Sequence, residues 1–295
     1  MRSPLTFALL ALLAVRAPAQ AADPFAYDRQ APLNLRERSR ETRGAVVVRD
    51  VTFDGGPAPS PAAGAAPVTA YLVAPAEGAG SHPAILYVHW FGDPRTTNRT
   101  QFLDEAVALA GRGVVSLLVD AMWSERGWWE ARTPETDFSG GARQVVALRR
   151  ALDLLLAQPG VDPARVAFVG HDFGAMFGAV MGAADRRPAC YVLMAPTPRL
   201  HDWYLFNVKP ADVDAYKAQL APLDPIGVVG RLAPAPVFYQ FAAKDKYVPM
   251  PRPTEFYDAT RPRKLMATYD SEHALAPPEV AADRVAWLAR ELRLP

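Results

Sequence analysis

VAFVGHDFGAMFGA, residues 166–179, runs from an unbroken apolar strand pattern into small residues at helical spacing. Between the two, Gly170-His171-Asp172-Phe173-Gly174 forms a turn with a carboxylate at its tip. Such a turn needs small residues at 170 and 174, because the chain bends sharply and its flanks approach closely. The helix start that follows stabilises negative charge at Asp172 and keeps it ionised. An aspartate before a helix is also an ordinary N-cap, so the partners of Asp172 decide what it does.

Outward from this turn, strand-like and helix-like stretches alternate. Extended patterns occupy 44–53 and 68–76, joined by the Gly/Pro/Ala-rich linker DGGPAPSPAAGAAP, which reads as a surface loop. AILYVHW (84–90) is a continuous apolar run, as expected of a strand covered on both faces. A helical pattern over 101–111 leads to VVSLLVDA (114–121), and apolar positions at three and four spacing mark a helix over 143–157. After the turn come CYVLMA (190–195), PVFYQF (236–241), KLMATY (264–269) and a last amphipathic helix over 280–292. This order predicts an α/β domain, a mostly parallel eight-stranded sheet with helices on both faces. Ligands in such sheets bind beyond the carboxyl ends of the strands.

The residues at those ends supply the chemistry. His89, Trp90 and Phe91 follow AILYVHW's apolar core; Trp123, Trp128 and Trp129 follow VVSLLVDA; Asp172 follows VAFVG; Asp245 follows PVFYQF; Asp270, Glu272 and His273 follow KLMATY. Asp172, Asp245 and His273 therefore occur in the order nucleophile, acid, histidine, each after a different strand. Through G-H-D-F-G, A-A-K-D-K-Y-V-P and S-E-H-A-L, the sequence resembles the α/β-hydrolase superfamily over nearly the whole mature chain.

That resemblance implies a triad: Asp172 at the nucleophile elbow, His273 as general base, and Asp245 fixing the imidazole tautomer, with Asp270 and Glu272 as reserve acids. It also implies an anion hole from the backbone N–H groups of Trp90 and Phe173. His89 takes a structural task, and His171 points away from the nucleophile. Trp123, Trp128, Trp129 and Tyr204 are candidates to line a substrate pocket, with Tyr204 and Tyr216 as possible donors to an epoxide oxygen, while aromatics of this kind also fill cores. The elbow looks like that of dehalogenases and epoxide hydrolases, in which a carboxylate attacks saturated carbon. The layout instead resembles small esterases of the dienelactone hydrolase type: only about 40 residues separate CYVLMA from PVFYQF, a minimal cap with one evident helix near 210–220.

Composition bounds the rest. The 295 residues, half of them hydrophobic, suffice for one large domain, and a net charge of +1 without a basic stripe gives no footprint for nucleic acid. MRSPLTFALLALLAVRAPAQA has a positive end, an apolar run at 5–15 too short to span a bilayer comfortably, and small-residue cleavage sites. The expectation is a signal peptide over 1–21, export to the periplasm or beyond, a single domain over 22–295, and no stable membrane insertion after cleavage. Cys190 is the one cysteine and lies in an apolar run, so it reads as a buried structural thiol, with no internal disulfide. No histidine pair has metal-ligand spacing and no glycine-rich phosphate loop occurs, so no cofactor is expected. Three readings stand: a hydrolase of a small, largely apolar substrate with a covalent Asp172 intermediate, opening an epoxide or a C–halogen bond; an ester or lactone hydrolase with Asp172 as base on water; and an exported binding protein whose nucleophile is lost.

Overall fold

The computed structural model describes residues 23–56, 67–77, 80–261 and 263–295. The expected signal peptide and most of the 54–67 linker lie outside the described residues. The strands are β1 Arg36–Arg43, β2 Val46–Asp54, β3 Pro67–Pro75, β4 His82–Val88, β5 Val115–Val119, β6 Val161–His171, β7 Cys190–Met194, β8 Val237–Ala242 and β9 Lys264–Tyr269. The α-helices are α1 Leu103–Ala110, α2 Trp128–Ala131, α3 Pro134–Leu156, α4 Phe173–Ala184, α5 His201–Tyr204, α6 Val213–Leu220, α7 Pro225–Val228, α8 Arg252–Ala259 and α9 Pro278–Leu292.

Among the described residues, these nine strands join one sheet in the order β1-β2-β3-β5-β4-β6-β7-β8-β9. The pairs from β5 through β4 to β9 are parallel, and β1, β2 and β3 add antiparallel pairs. Eight strands match the expectation. The ninth, β1, is exposed along its whole length, so no apolar alternation announced it.

Side-chain alternation divides the interior into two layers. Leu86, Val88 and Phe168 point to one face, which α3 and α4 cover with Leu148, Leu152, Met176 and Val180. Ile85, Tyr87 and Val169 point to the other, covered by α1 and α9 through Leu109, Trp287 and Leu288. Cys190 is buried in this second layer and burial pushes its thiol up, as expected of a structural residue.

Helix α3 begins nine residues before the expected 143, at Pro134, behind a Thr133–Thr136 capping box. Its first turns bury Asp137 and Gly141 in place of large apolar residues, which hid them from periodicity. The stretch between β7 and β8 holds three helices, α5, α6 and α7, where one was evident in sequence. No described helix is long and apolar enough to cross a membrane.

Candidate active site

The elbow is set by backbone contacts. A Cβ on Gly174 would lie 2.3 Å from the Val88 carbonyl oxygen, and one on Gly170 would lie 2.5 Å from the Gly174 backbone. Only glycine lets β4, β6 and α4 approach this closely. Between them Asp172 adopts φ 53° and ψ −116°, a conformation L residues avoid at a cost of about 1–3 kcal/mol. This places the side chain off the end of β6, at the N-terminus of α4.

The three residues of the expected triad meet there. His273 Nδ1 donates to Asp245 Oδ2 at 2.7 Å. Asp245 Oδ1 accepts from the N–H groups of Tyr247 and Val248 at 2.8 and 3.0 Å, which fixes the carboxylate. The other imidazole nitrogen, Nε2, faces Asp172 Oδ1 at 3.8 Å. Neither of these two buried atoms has a hydrogen-bond partner within the protein. Asp270 pairs with Lys244 at 2.7 Å on the surface, and Glu272 is exposed, so neither reserve acid reaches the imidazole.

Burial governs the charge states. Asp172 is 1% exposed, and desolvation raises its pKa to about 6 against the pull of His273 and of the Phe91 and Phe173 N–H groups. For His273, desolvation works against the cation, but the Asp245 hydrogen bond and the two carboxylates outweigh it and raise its pKa. For Asp245, desolvation is likewise outweighed, chiefly by the hydrogen bond from His273, and its pKa is lowered. The site therefore holds two carboxylates with divergent proton affinities around one imidazole, a common arrangement for acid–base work.

The anion hole departs from expectation by one residue. The Trp90 N–H is taken by Gln101 Oε1 at 2.9 Å, so Trp90 does not supply the donor. The next N–H, from Phe91, donates to Asp172 Oδ2 at 3.1 Å. The reason lies in the Trp90–Phe91 peptide. Its carbonyl accepts from His89 Nδ1 at 2.7 Å and from Trp123 Nε1 at 3.1 Å. In a trans peptide the N–H points opposite to the carbonyl, so these two donors aim the Phe91 N–H at Asp172. The Ala121 N–H donates to His89 Nε2 at 3.2 Å, which leaves the proton on Nδ1. Burial lowers the His89 pKa to about 4 and keeps the ring neutral. His89 is thus structural, as expected. The Phe173 N–H, at the helix start, favours the ionised form of Asp172.

Four aromatic residues were expected to line a pocket, and their placements differ. Trp128 and Trp129 are half-buried and pack against Phe91 and Phe173, within 6.4 Å ring to ring. Tyr204 packs edge-on to Phe173 and Trp128. Trp123 is 1% exposed with its N–H spent on the Trp90 carbonyl, so it supports the anion-hole loop from behind and has no donor left for a ligand. The Tyr216 hydroxyl bonds Asp137, which removes it as a donor to substrate. Sequence reasoning missed Trp203 and Tyr247, whose rings both pack against His273. A cavity of about 450 Å³ opens beside Trp128, lined also by Met122, Ser124 and Gln144; none of Asp172, His273 and Asp245 lines it. Among the described residues, no group of three or more His, Cys, Asp or Glu side chains is placed to hold a metal ion.

The backbone as a whole is similar to solved esterases. An acetyl xylan esterase from Paenibacillus sp. R4 superposes with a TM-score of 0.71 at 17% identity, covering 89% of this chain and 90% of that one. Acetyl xylan esterase 1 from Thermoanaerobacterium sp. JW/SL YS485 gives 0.70 at 15% identity, covering 91% of each chain. A protein described as a dienelactone hydrolase, from Klebsiella pneumoniae subsp. pneumoniae MGH 78578, gives 0.60 at 17% identity, over 85% of this chain and 99% of that one. No protein-family model and no curated protein matches the sequence. The chain has the α/β-hydrolase fold.

Proposed function

We propose that this protein is a hydrolase of small, largely apolar substrates, with Asp172 as covalent nucleophile, His273 as the base that activates water, and Asp245 as the carboxylate that orients His273. The observation that carries this reading is the division of labour between the two Asp172 oxygens. Oδ2 already accepts from the anion-hole N–H of Phe91, while Oδ1 is unpartnered and faces His273 Nε2.

Attack by Oδ1 on a saturated carbon forms a C–O bond, and the leaving group departs with the electron pair of the bond that breaks. An epoxide oxygen or a halide fits that role. Water then loses a proton to His273 Nε2 and adds to the Asp172 carboxyl carbon. The negative charge of that intermediate develops on Oδ2, which already accepts from the Phe91 N–H. Collapse expels the alkoxide, which takes the proton from His273, and leaves Asp172 as the carboxylic acid. Its proton passes to solvent when a halide has left, or neutralises the alkoxide of an opened epoxide, and the carboxylate is regenerated. The aromatic rings around Phe91 and Phe173 suit an apolar substrate.

A second reading is ester or lactone hydrolysis, with Asp172 acting as base on water. The esterases and the dienelactone hydrolase that share the fold favour it. Against it, an acyl oxygen seeking the anion hole would have to displace Asp172 Oδ2. In either case the expected signal peptide would place the activity outside the cytoplasm.

The test is a single turnover in heavy-oxygen water with a panel of epoxides, haloalkanoates, short acyl esters and lactones, followed by mass spectrometry of the Asp172 peptide. Label in the Asp172 carboxylate is the expected result. Ester turnover without label would replace the covalent route by the second reading. Turnover that survives Asp172→Asn intact would overturn both.

A further inference from the structure

Behind the elbow, three loops are joined by a chain of hydrogen bonds whose direction is fixed at both ends. The Trp90 N–H can only donate, so the Gln101 atom that meets it at 2.9 Å is the amide oxygen. The Gln101 amide nitrogen then faces His171 Nδ1 at 2.7 Å, which must present its lone pair. The proton of His171 therefore sits on Nε2, and it donates to the His273 carbonyl at 3.0 Å, a group that can only accept. His171 is wholly buried, with its ring stacked on Trp90 at 5.1 Å and 3°.

We propose that Gln101, acting through His171, is a positioning residue for His273: it ties the anion-hole loop to the histidine loop and holds His171 as the neutral Nε2–H tautomer. The part of this inference that concerns turnover rests on the function proposed above. The part that concerns tautomer and charge does not.

Two consequences follow from the geometry. The His273 backbone is pinned by His171 while its ring is pinned by Asp245, so the 3.8 Å gap between Nε2 and Asp172 Oδ1 is defined from two directions. In addition, a Gln101 N–H aimed at Nδ1 excludes a proton there. That keeps a second imidazolium away from His273, whose ring lies 5.5 Å from that of His171. Burial opposes a cation on His171 most strongly; of the charged groups facing it, His273 and Arg284 also oppose one and Asp245 favours one. With Gln101 in place, the cation at this site belongs to His273 alone.

Gln101→Glu is nearly isosteric and reverses that condition. A carboxylate keeps the acceptor for the Trp90 N–H but now also accepts from a protonated Nδ1. Gln101→Leu removes both hydrogen bonds. The experiment is nitrogen NMR of the histidine rings in the ligand-free full chain, with circular dichroism to establish folding. The wild type should show His171 neutral with its proton on Nε2. In Gln101→Glu, His171 should be protonated at neutral pH, and the His273 midpoint should fall by about one pH unit through like-charge repulsion. On whichever substrate the wild type turns over, kcat should drop about tenfold with KM little changed.

A wild-type His171 carrying its proton on Nδ1 would overturn the proposal. So would a His273 titration that is the same in wild type and in folded Gln101→Glu. If Gln101→Leu fails to fold, Gln101→Glu decides alone. Absence of turnover on every substrate class would count against the proposed function, while the ring-nitrogen spectra still decide this inference.

Discussion

Replacing Asp172 by asparagine should make the protein more stable, and by an amount that depends on pH. Burial raises the carboxyl from 3.8 to about 6. The native state therefore holds this proton more tightly than the unfolded chain does. The associated stability is fully present below pH 3.8 and is lost as pH rises through about 6. At 1.36 kcal/mol per pH unit, the ionised carboxylate costs about 3 kcal/mol at pH 8. An asparagine keeps the shape and still accepts from the Phe91 N–H, but it carries no charge to desolvate. For a chain of this length, that corresponds to a melting temperature about 6 °C higher at pH 8. The same linkage gives about half that advantage at pH 5, where much of the wild-type carboxyl is already protonated. Thermal unfolding of both proteins by circular dichroism at the two pH values is the assay. A Tm that is unchanged or lower in the variant at pH 8 would refute the claim that this carboxylate is buried without full compensation. A pH-independent gain would refute charge as its cause.

Other perturbations test the scaffold. Gly174→Ala puts a methyl group 2.3 Å from the Val88 oxygen; it should cost about 3 kcal/mol or abolish folding, as read by urea denaturation. Arg132 and Asp137 form an ion pair with side chains only 4% and 2% exposed, so Arg132→Met should cost about 3–5 kcal/mol by leaving the carboxylate unpaired. Adding Asp137→Asn should recover part of that loss.

What the sequence disclosed was whatever leaves a periodic or ordered trace. The central parallel strands carry long apolar stretches, and the elbow is a G-x-D-x-G between a strand and a helix, so Asp172, Asp245 and His273 could be aligned from the sequence. Strand β1 left no trace because it buries no side chain and is held by backbone pairing to β2. The early turns of α3 were hidden because a buried Asp137, paired with Arg132, stands where periodicity looks for leucine. The anion-hole donor was misplaced by one residue because its choice depends on which way one peptide plane is turned. That is decided by His89 and Trp123, which lie 34 residues apart in sequence. Gln101 had no signal at all: a half-buried glutamine before a helix gives no hint of a histidine 70 residues later.

The exposed outer strand has a consequence for how the chain behaves in company. RERSRETR presents a charge at nearly every position, and Arg40–Glu37, Arg43–Glu41 and Arg49–Glu37 neutralise one another locally. Such pairs contribute little to stability. Their effect is on strangers: another molecule seeking to extend the sheet at this border would have to align against a fringe of hydrated, mutually occupied ions. A chain without an internal disulfide, carrying long apolar strands, thus has one border at which growth by strand addition is discouraged.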